Sequence, residues 1–333
     1  MSLTIGICVG DVTGIGPEVT LKALSLEAAT DETRFLLIGD STIVHQMNTA
    51  LKLNLPIQDS STGGSSGRIV VTNPLNHSLP ANLKPGAAPA ANAAVAWLRE
   101  AGERCLRRDL DAMVTAPVNK EAIIRAGHKF IGQTEFLADM ADSSRTVMML
   151  LGHDERGRWL RVALATVHLA LRDVPVKLTQ QKILLAIERA AGACLDLGLP
   201  RARIAVCGLN PHCGEGGEFG DEEPRVIAPA IAAAKKNGID IVGPLSGDTV
   251  FHQALTGEFD AVVAMFHDQG LAPLKTVAFD TGVNWTLGLP FIRTSPDHGT
   301  ACNIAGKGIA DPSSMISAIR LAKKLAAAKK RGA

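Results

Sequence analysis

Three histidines, His168, His212 and His267, each stand at or just past the end of a short apolar run: "WLRVALATVH", "RIAVCGLNPH" and "AVVAMFH". Neutral imidazoles arriving from separate strands, with positions left open, form the donor set of a catalytic divalent-metal site. A structural zinc would close its shell with four protein ligands, often cysteines. The six cysteines (Cys8, Cys105, Cys194, Cys207, Cys213 and Cys302) contain no CxxC pair. Downstream of the third histidine come Lys275, Asn284 and Arg293, and upstream Gln133 and Thr134 open a helix-like run in "FIGQTEFLADM". Arginine supplies a planar fork and lysine a point charge, the usual pair for phosphate or carboxylate. A metal beside an anion pocket suits a hydroxy-acid substrate, whose hydroxyl oxygen the cation polarises during oxidation. Asp248, Asp268 and His298 are secondary candidates, as orienting or outer groups. Each residue also has a plainer reading: a core histidine, a solvated charge or, for Thr134, a helix cap. His45, His77, His128, His153 and His252 lie in polar or helical contexts and read as surface residues.

The elements that must position these side chains follow a strand–helix rhythm. Leu3–Val9, Arg34–Ile38 and Asp111–Thr115 read as short buried strands. The runs ending at the three histidines read the same way. Between the first two of those runs lies an amphipathic helix with Ile183, Ile187, Ala191 and Cys194 on one side and Thr179 as its cap. Between the second and third lies an alanine-rich helix after Pro229 that ends at Asn237-Gly238. This alternation is that of a parallel sheet, whose strands deliver their C-terminal ends to one edge. Ala87–Leu106 reads as a further alanine-rich helix. A last helix begins at Asp311-Pro312-Ser313, with Ile316, Ile319 and Ala322 inward and a basic tail near Lys323 to Arg331 that suits its negative end. "GDVTGIGPE", Gly10–Glu18, is either a tight strand-to-helix turn or an anion site at a helix start; its glycines do not form GxGxxG. Asn119 and Lys120 read as ligand-facing or as a helix start. Pro56–Arg68, "PIQDSSTGGSSGR", reads as a surface loop.

Composition narrows the class. The chain has 333 residues, enough for two domains or one large α/β domain, with an apolar share of 46% and a charged share of 20%. Lys+Arg 34 against Asp+Glu 33 gives a net charge of +1, which offers no nucleic-acid surface. No apolar stretch reaches the roughly 18 residues of a membrane span. The opening strand-like run lacks the pattern of a signal peptide. Cysteines inside apolar runs fit reduced thiols. The expectation is a cytoplasmic protein without nucleic-acid or membrane partners.

With these residues in view, the chain resembles the 4-hydroxythreonine-4-phosphate dehydrogenase family of vitamin B6 (pyridoxal phosphate, pyridoxine) biosynthesis. The resemblance runs nearly end to end. It rests on "GDVTGIGPE", "TAPVNKEAI", "GQTEFLA", "VALATVHLALRDVP", "CGLNPHCGEGGEFGDEE", "GPLSGDT", "MFHDQGLAPLK" and "NWTLGLPFIRTSPDHGTA". It implies a two-domain α/β/α sandwich like the isocitrate and isopropylmalate dehydrogenases, with mostly parallel sheets. The expected domains are 1–130 plus 295–333 and 131–294, with a cleft between them. It implies a homodimer whose active site lies at the subunit interface and whose metal ligands come from both subunits. The metal falls on His168, His212 and His267, one divalent ion (Zn, Mg or Co) per site. Substrate binding falls on Thr134, Lys275, Asn284 and Arg293, with Gln133 standing where the family usually has histidine. The cofactor is NAD or NADP. The implied reaction oxidises the C3 hydroxyl of 4-phosphohydroxy-L-threonine and decarboxylates the product to 3-amino-2-oxopropyl phosphate.

Two departures bear on the substrate. This chain has "GDVTGIGPE" where the family has "GDPAGIGPE", and Gln133 neither carries charge nor transfers a proton. The alternative is the same chemistry on 4-phospho-D-threonate or 4-phospho-D-erythronate, giving dihydroxyacetone phosphate, or a dihydrodiol dehydrogenase of the terephthalate-diol type. Lys275, Asn284 and Arg293 favour a phosphorylated substrate over a diol. A reading of another class is a non-catalytic metabolite-binding relative. A metal hydrolase would need a general base, for which only Asp268 and Asp248 present themselves.

Overall fold

The computed structural model describes residues 2–60 and 67–332. The chain forms two compact units, one of Met1–Ser144 with Leu289–Ala333 and one of Arg145–Gly288. The first unit opens with β1 (Thr4–Cys8), α1 (Gly16–Glu27), β2 (Arg34–Ile38), α2 (Ser41–Ala50), β3 (Ile57–Asp59) and β4 (Ile69–Thr72). It continues with α3 (Ala88–Leu106), β5 (Ala112–Thr115), α4 (Lys120–Arg125) and α5 (Gln133–Met140). The second holds β6 (Val147–His153), β7 (Trp159–Leu164), α6 (Val174–Lys177), α7 (Gln180–Asp196), β8 (Ile204–Cys207) and α8 (Ala228–Lys236). It ends with β9 (Ile241–Leu245), α9 (Val250–Leu255), β10 (Ala261–Ala264), α10 (His267–Ala278) and β11 (Val283–Leu287). The chain then returns to the first unit with β12 (Ile292–Pro296) and α11 (Ser313–Gly332).

In the first unit the strand order is β3-β4-β2-β1-β5-β12, and every pairing is parallel. In the second it is β11-β6-β7-β10-β8-β9, parallel except that β6 runs against both of its neighbours. Strands covered by helices on both faces are apolar throughout, and β5, β8 and β10 are buried at every residue. The expected parallel α/β architecture holds. One expectation changes. Within Pro56–Arg68, Ile57–Asp59 pairs with β4 as an edge strand, while 61–66 lies outside the described residues. β6, a plain apolar run, supplies the one reversed direction among the described strands of its unit.

Local rules account for several element ends. Thr179 caps α7 by accepting from the Lys182 N–H at 3.3 Å, and Ile183, Ile187 and Cys194 are buried with Ala190 beside them. Asn119 caps α4 through the Ala122 N–H at 3.0 Å, which settles it as a helix-start residue. The "GDVTGIGPE" segment is a turn held by packing: a Cβ on Gly10 (φ +74°) would strike the Pro117 carbonyl. The buried Asp11 carboxylate accepts from the Thr13 N–H and hydroxyl at 2.8 and 2.7 Å, and its charge opposes an anion at this helix start. All six cysteines are free thiols. No helix among the described residues is long and apolar enough to cross a membrane.

The basic tail of α11 has a tertiary role that the helix dipole does not cover. Lys323 is buried and bonds Glu27 at 3.3 Å and Asp31 at 2.8 Å, while Arg320 reaches Glu27 at 2.7 Å and Lys330 reaches Asp111 at 2.8 Å. Glu27 is 2% exposed, so its charge depends on these partners. Replacing Lys323 with Met is expected to lower the free energy of unfolding by about 2–3 kcal/mol. Adding Glu27→Gln to the Lys323→Met variant recovers most of the loss, as read by urea unfolding of the single and double variants.

Candidate active site

The strands preceding the three histidines are neighbours. β10 pairs in parallel with β7 on one side and β8 on the other. Each strand stops short of its histidine: His168 follows β7 after an irregular segment, His267 is the first residue of α10, and His212 lies in the loop after β8. The segments leaving β7 and β10 stay tied, with Ala165 N–H donating to the Ala264 carbonyl at 2.9 Å and the Thr166 hydroxyl to the Met265 carbonyl at 2.6 Å. His168 and His267 end with ring centroids 5.5 Å apart and planes at 41°. Imidazoles bound through Nε2 at about 2.0–2.1 Å to one tetrahedral ion hold their centroids roughly 5 Å apart, so this pair has the spacing for a shared cation.

Two of the imidazoles are oriented by carboxylates. His267 Nδ1 lies 2.7 Å from Asp268 Oδ1, and His212 Nδ1 lies 2.8 Å from Glu215 Oε1. A carboxylate on Nδ1–H leaves Nε2 with its lone pair outward, as a metal ligand requires. Glu215 escaped the sequence reading; its signal is a carboxylate three residues past a histidine in a glycine-rich stretch. The His212 loop is unusual: His212, Cys213, Gly214, Glu215 and Gly216 have φ of 48°, 57°, 86°, 43° and 69°. Three of these five left-handed residues carry side chains, at a cost of order 1 kcal/mol each. Among the described residues, no three His, Cys, Asp or Glu side chains gather closely enough in one chain to hold an ion. His212 therefore does not complete the pair formed by His168 and His267 within this chain.

The secondary candidates fall in different places. Asp268 is the partner of His267. Asp248 is exposed, just before α9, whose N-cap is Thr249. It lies near the His212 loop: burial pushes the Cys213 thiol up, and the charges of Glu223 and Asp248 add to that. His298 belongs to the first unit. There Ser313 holds the Asp311 carboxyl below its ordinary range, with Lys22 and His298 contributing.

The anion-binding candidates form two groups. In the first unit Arg293, on β12, is 2% exposed. Its Nε and Nη2 donate to Thr115 Oγ1 at 3.1 and 2.7 Å, Nη1 to Thr134 Oγ1 at 3.4 Å and Nη2 to Gln133 Oε1 at 3.4 Å. Burial pushes Arg293 down to about 10, against the opposing influence of Cys8 and Glu135. Its two 3.4 Å bonds are long and weak. Gly132 is the N-cap of α5, so Thr134 sits inside the helix facing Arg293 and is not a cap. Gln133 Nε2 also donates to the Ala116 carbonyl at 3.2 Å. In the second unit Lys275 lies on α10, the helix that His267 begins. Asn284 pairs with Leu150, which packs in one core with Leu271 and Leu274 of α10. Directly opposed residues share a face, so Asn284 lies on the side of the sheet that α10 covers. Its Oδ1 is buried without a hydrogen-bond partner.

The family model described as Pyridoxal phosphate biosynthetic protein PdxA matches residues 31–322. The chain belongs to this family. Among relatives of this PdxA family member, the 4-hydroxythreonine-4-phosphate dehydrogenase of Geobacter metallireducens is 45% identical, the match covering 98% of this chain and 97% of the relative. The D-threonate 4-phosphate dehydrogenase of Cupriavidus necator is 41% identical, covering 97% of each. The crystal structure of the 4-hydroxythreonine-4-phosphate dehydrogenase from Klebsiella pneumoniae superposes with a TM-score of 0.82 at 39% identity, covering 98% of this chain and 100% of that one. Isocitrate dehydrogenase from Methylococcus capsulatus shares the fold, with a TM-score of 0.54 at 14% identity over 99% of this chain and 88% of that one.

The burial of Arg293 generates a prediction for this PdxA family member. Removing the guanidinium relieves its desolvation but strips Thr115, Thr134 and Gln133 of a donor and Glu135 of a nearby positive charge. Arg293→Met is expected to lower the free energy of unfolding by about 1–3 kcal/mol while staying folded. Its affinity for a phosphorylated four-carbon acid is expected to fall by on the order of 100-fold. Thermal unfolding and titration calorimetry of the same samples check the two halves.

Proposed function

We propose that this oxidoreductase is a divalent-metal-dependent, NAD-linked enzyme that oxidises the C3 hydroxyl of 4-phosphohydroxy-L-threonine and decarboxylates the product to 3-amino-2-oxopropyl phosphate. The observation that carries the reading is the His168–His267 pair at 5.5 Å, with His267 held on Asp268. The donor set fits a divalent ion. His168 and His267 would hold it, with His212 of a second copy of the chain as the third imidazole, completing the site in a homodimer. Bound there, the ion would polarise the substrate hydroxyl and stabilise negative charge on that oxygen as carbon dioxide leaves.

This chain's own groups have separable tasks. Asp268 and Glu215 fix the tautomers of His267 and His212. Arg293, through Thr134 and Gln133, and Lys275 with Asn284 supply cationic and hydrogen-bonding anchors for phosphate and carboxylate. The balance of the reaction is a hydride from C3 to NAD, the hydroxyl proton to solvent, and then loss of carbon dioxide. The electrons of the broken C–C bond pass into the neighbouring carbonyl, and a proton quenches the enolate.

A second substrate stays in view because of Gln133. Its amide accepts from Arg293 and donates to the Ala116 carbonyl, so it orients the guanidinium without adding charge. The same chemistry on 4-phospho-D-threonate would give dihydroxyacetone phosphate, and two relatives bear that substrate in their names.

The test is NADH formation by the full-length protein across 4-phosphohydroxy-L-threonine, 4-phospho-D-threonate, 4-phospho-D-erythronate and an unphosphorylated diol. Turnover is expected on a phosphorylated acid only, lost on chelation and restored by added divalent ion. Full activity after metal removal contradicts the reading. His168→Ala is expected to lower the rate more than ~100-fold, beyond the ~10–100-fold in metal affinity expected for the outer change Asp268→Asn.

A further inference from the structure

Gln269, in "HDQG" at the first turn of α10, makes two short hydrogen bonds in opposite directions. Its Oε1 accepts from the Met265 N–H at 2.7 Å, and its Nε2 donates to the Gly208 carbonyl at 2.7 Å. Met265 belongs to the turn that carries the chain from β10 into His267. Gly208 begins the loop that carries it from β8 toward His212. The ladder between β10 and β8 runs only as far as Val263 and Val206. Past that point the Gln269 side chain continues the connection, joining two diverging backbone segments as a ladder bond would.

The far side of the same loop is braced by Glu223, which is 3% exposed. Its Oε1 accepts from the Leu209 and Asn210 N–H groups at 2.8 Å each, and its Oε2 accepts from Asn210 Nδ2 at 2.9 Å. Charge-assisted bonds to backbone N–H groups are stronger than neutral ones. Gly208 is the pivot between the two braces. A Cβ there would come within 3.0 Å of Cys213 Sγ and 3.1 Å of Glu223 Oε1, so any side chain would have to push the loop back by a few tenths of an ångström. The left-handed run from His212 to Gly216 follows directly, and such a conformation persists only where its surroundings over-determine it.

We infer that Gln269 is a positioning residue: with Glu223 behind the loop, it fixes both the His267 turn and the His212 loop, so that His267 meets its ion beside His168 while His212 is presented to the ion of a second copy in the homodimer, and it thereby sets the affinity of each site for its divalent ion. The inference rests on the metal reading given under the proposed function. Gln269 touches neither ion nor substrate in this role; it acts through the backbone that carries the two imidazoles.

Co²⁺ titration of the metal-stripped full-length protein, followed by visible absorption, tests this, with thermal unfolding of each metal-free sample alongside. Gln269→Leu removes both bonds. Gln269→Glu keeps an acceptor for Met265 but sets a carboxylate oxygen against the Gly208 carbonyl. Both are expected to bind Co²⁺ about 10–100-fold more weakly than the parent, the range for outer partners of metal ligands. The unfolding temperature is expected to shift by no more than a few degrees. If Gln269→Leu does not fold, Gln269→Glu and Glu223→Gln serve as the folded test pair, and both are expected to weaken binding. Folded variants that bind Co²⁺ as tightly as the parent overturn the positioning role and leave the metal reading standing. A parent protein that binds no Co²⁺ overturns the metal reading and this inference with it.

Discussion

Parallel pairing of β10 with both β7 and β8 is the constraint on which the second unit's chemistry depends. Strands about 4.8 Å apart release their chains side by side at one edge of the sheet, close enough for imidazoles from neighbouring segments to face one another. The 5.5 Å separation of His168 and His267 follows from that geometry and not from any local motif. Leaving the ladder also strands backbone polar groups that must find other partners. Here the hydroxyl of Thr166 and the amide of Gln269 take carbonyls at the β10 and β8 ends, and the carboxylate of Glu223 takes two N–H groups of the next loop. The edge is knit by side chains where the strands stop.

Buried charge is handled in two ways. Glu27 is sealed in the first unit but faces Lys323 and Arg320, so its charge is matched and its role is to lock α11 onto α1. Arg293 is equally sealed, bonds Thr115, Thr134 and Gln133, and is pushed down to about 10 by burial against the opposing influence of Cys8 and Glu135. Under the proposed function this is the buried charge an anionic substrate would meet, whereas Glu27 and its partners serve folding.

Much of the architecture was legible in the sequence, because the short apolar runs before the histidines and the caps at Thr179 and Asn119 are local features. β6 was not, since an uninterrupted apolar run carries no mark of direction, and neither was β3, whose three residues sit in a polar stretch with only their pairing to β4 to define them. At the site, residue type and strand end pointed to His168, His212 and His267. Thr115 and Gln269 stayed hidden because Arg293 and Gly208, their partners, lie far along the chain, and Glu215 because a left-handed loop turns it back onto a histidine three residues away. Lys323 illustrates the same limit: read as part of a tail at a helix end, it is a buried ion-pair residue that meets Glu27 and Asp31 from distant sequence.

The account turns on whether His168 and His267 share one divalent ion. The most direct measurement is anomalous diffraction from crystals of the full chain grown with Co²⁺. The expected result is a single strong peak within bonding distance of both Nε2 atoms, with a third imidazole completing the approach. A peak bound elsewhere, or none at these two side chains under saturating Co²⁺, contradicts it.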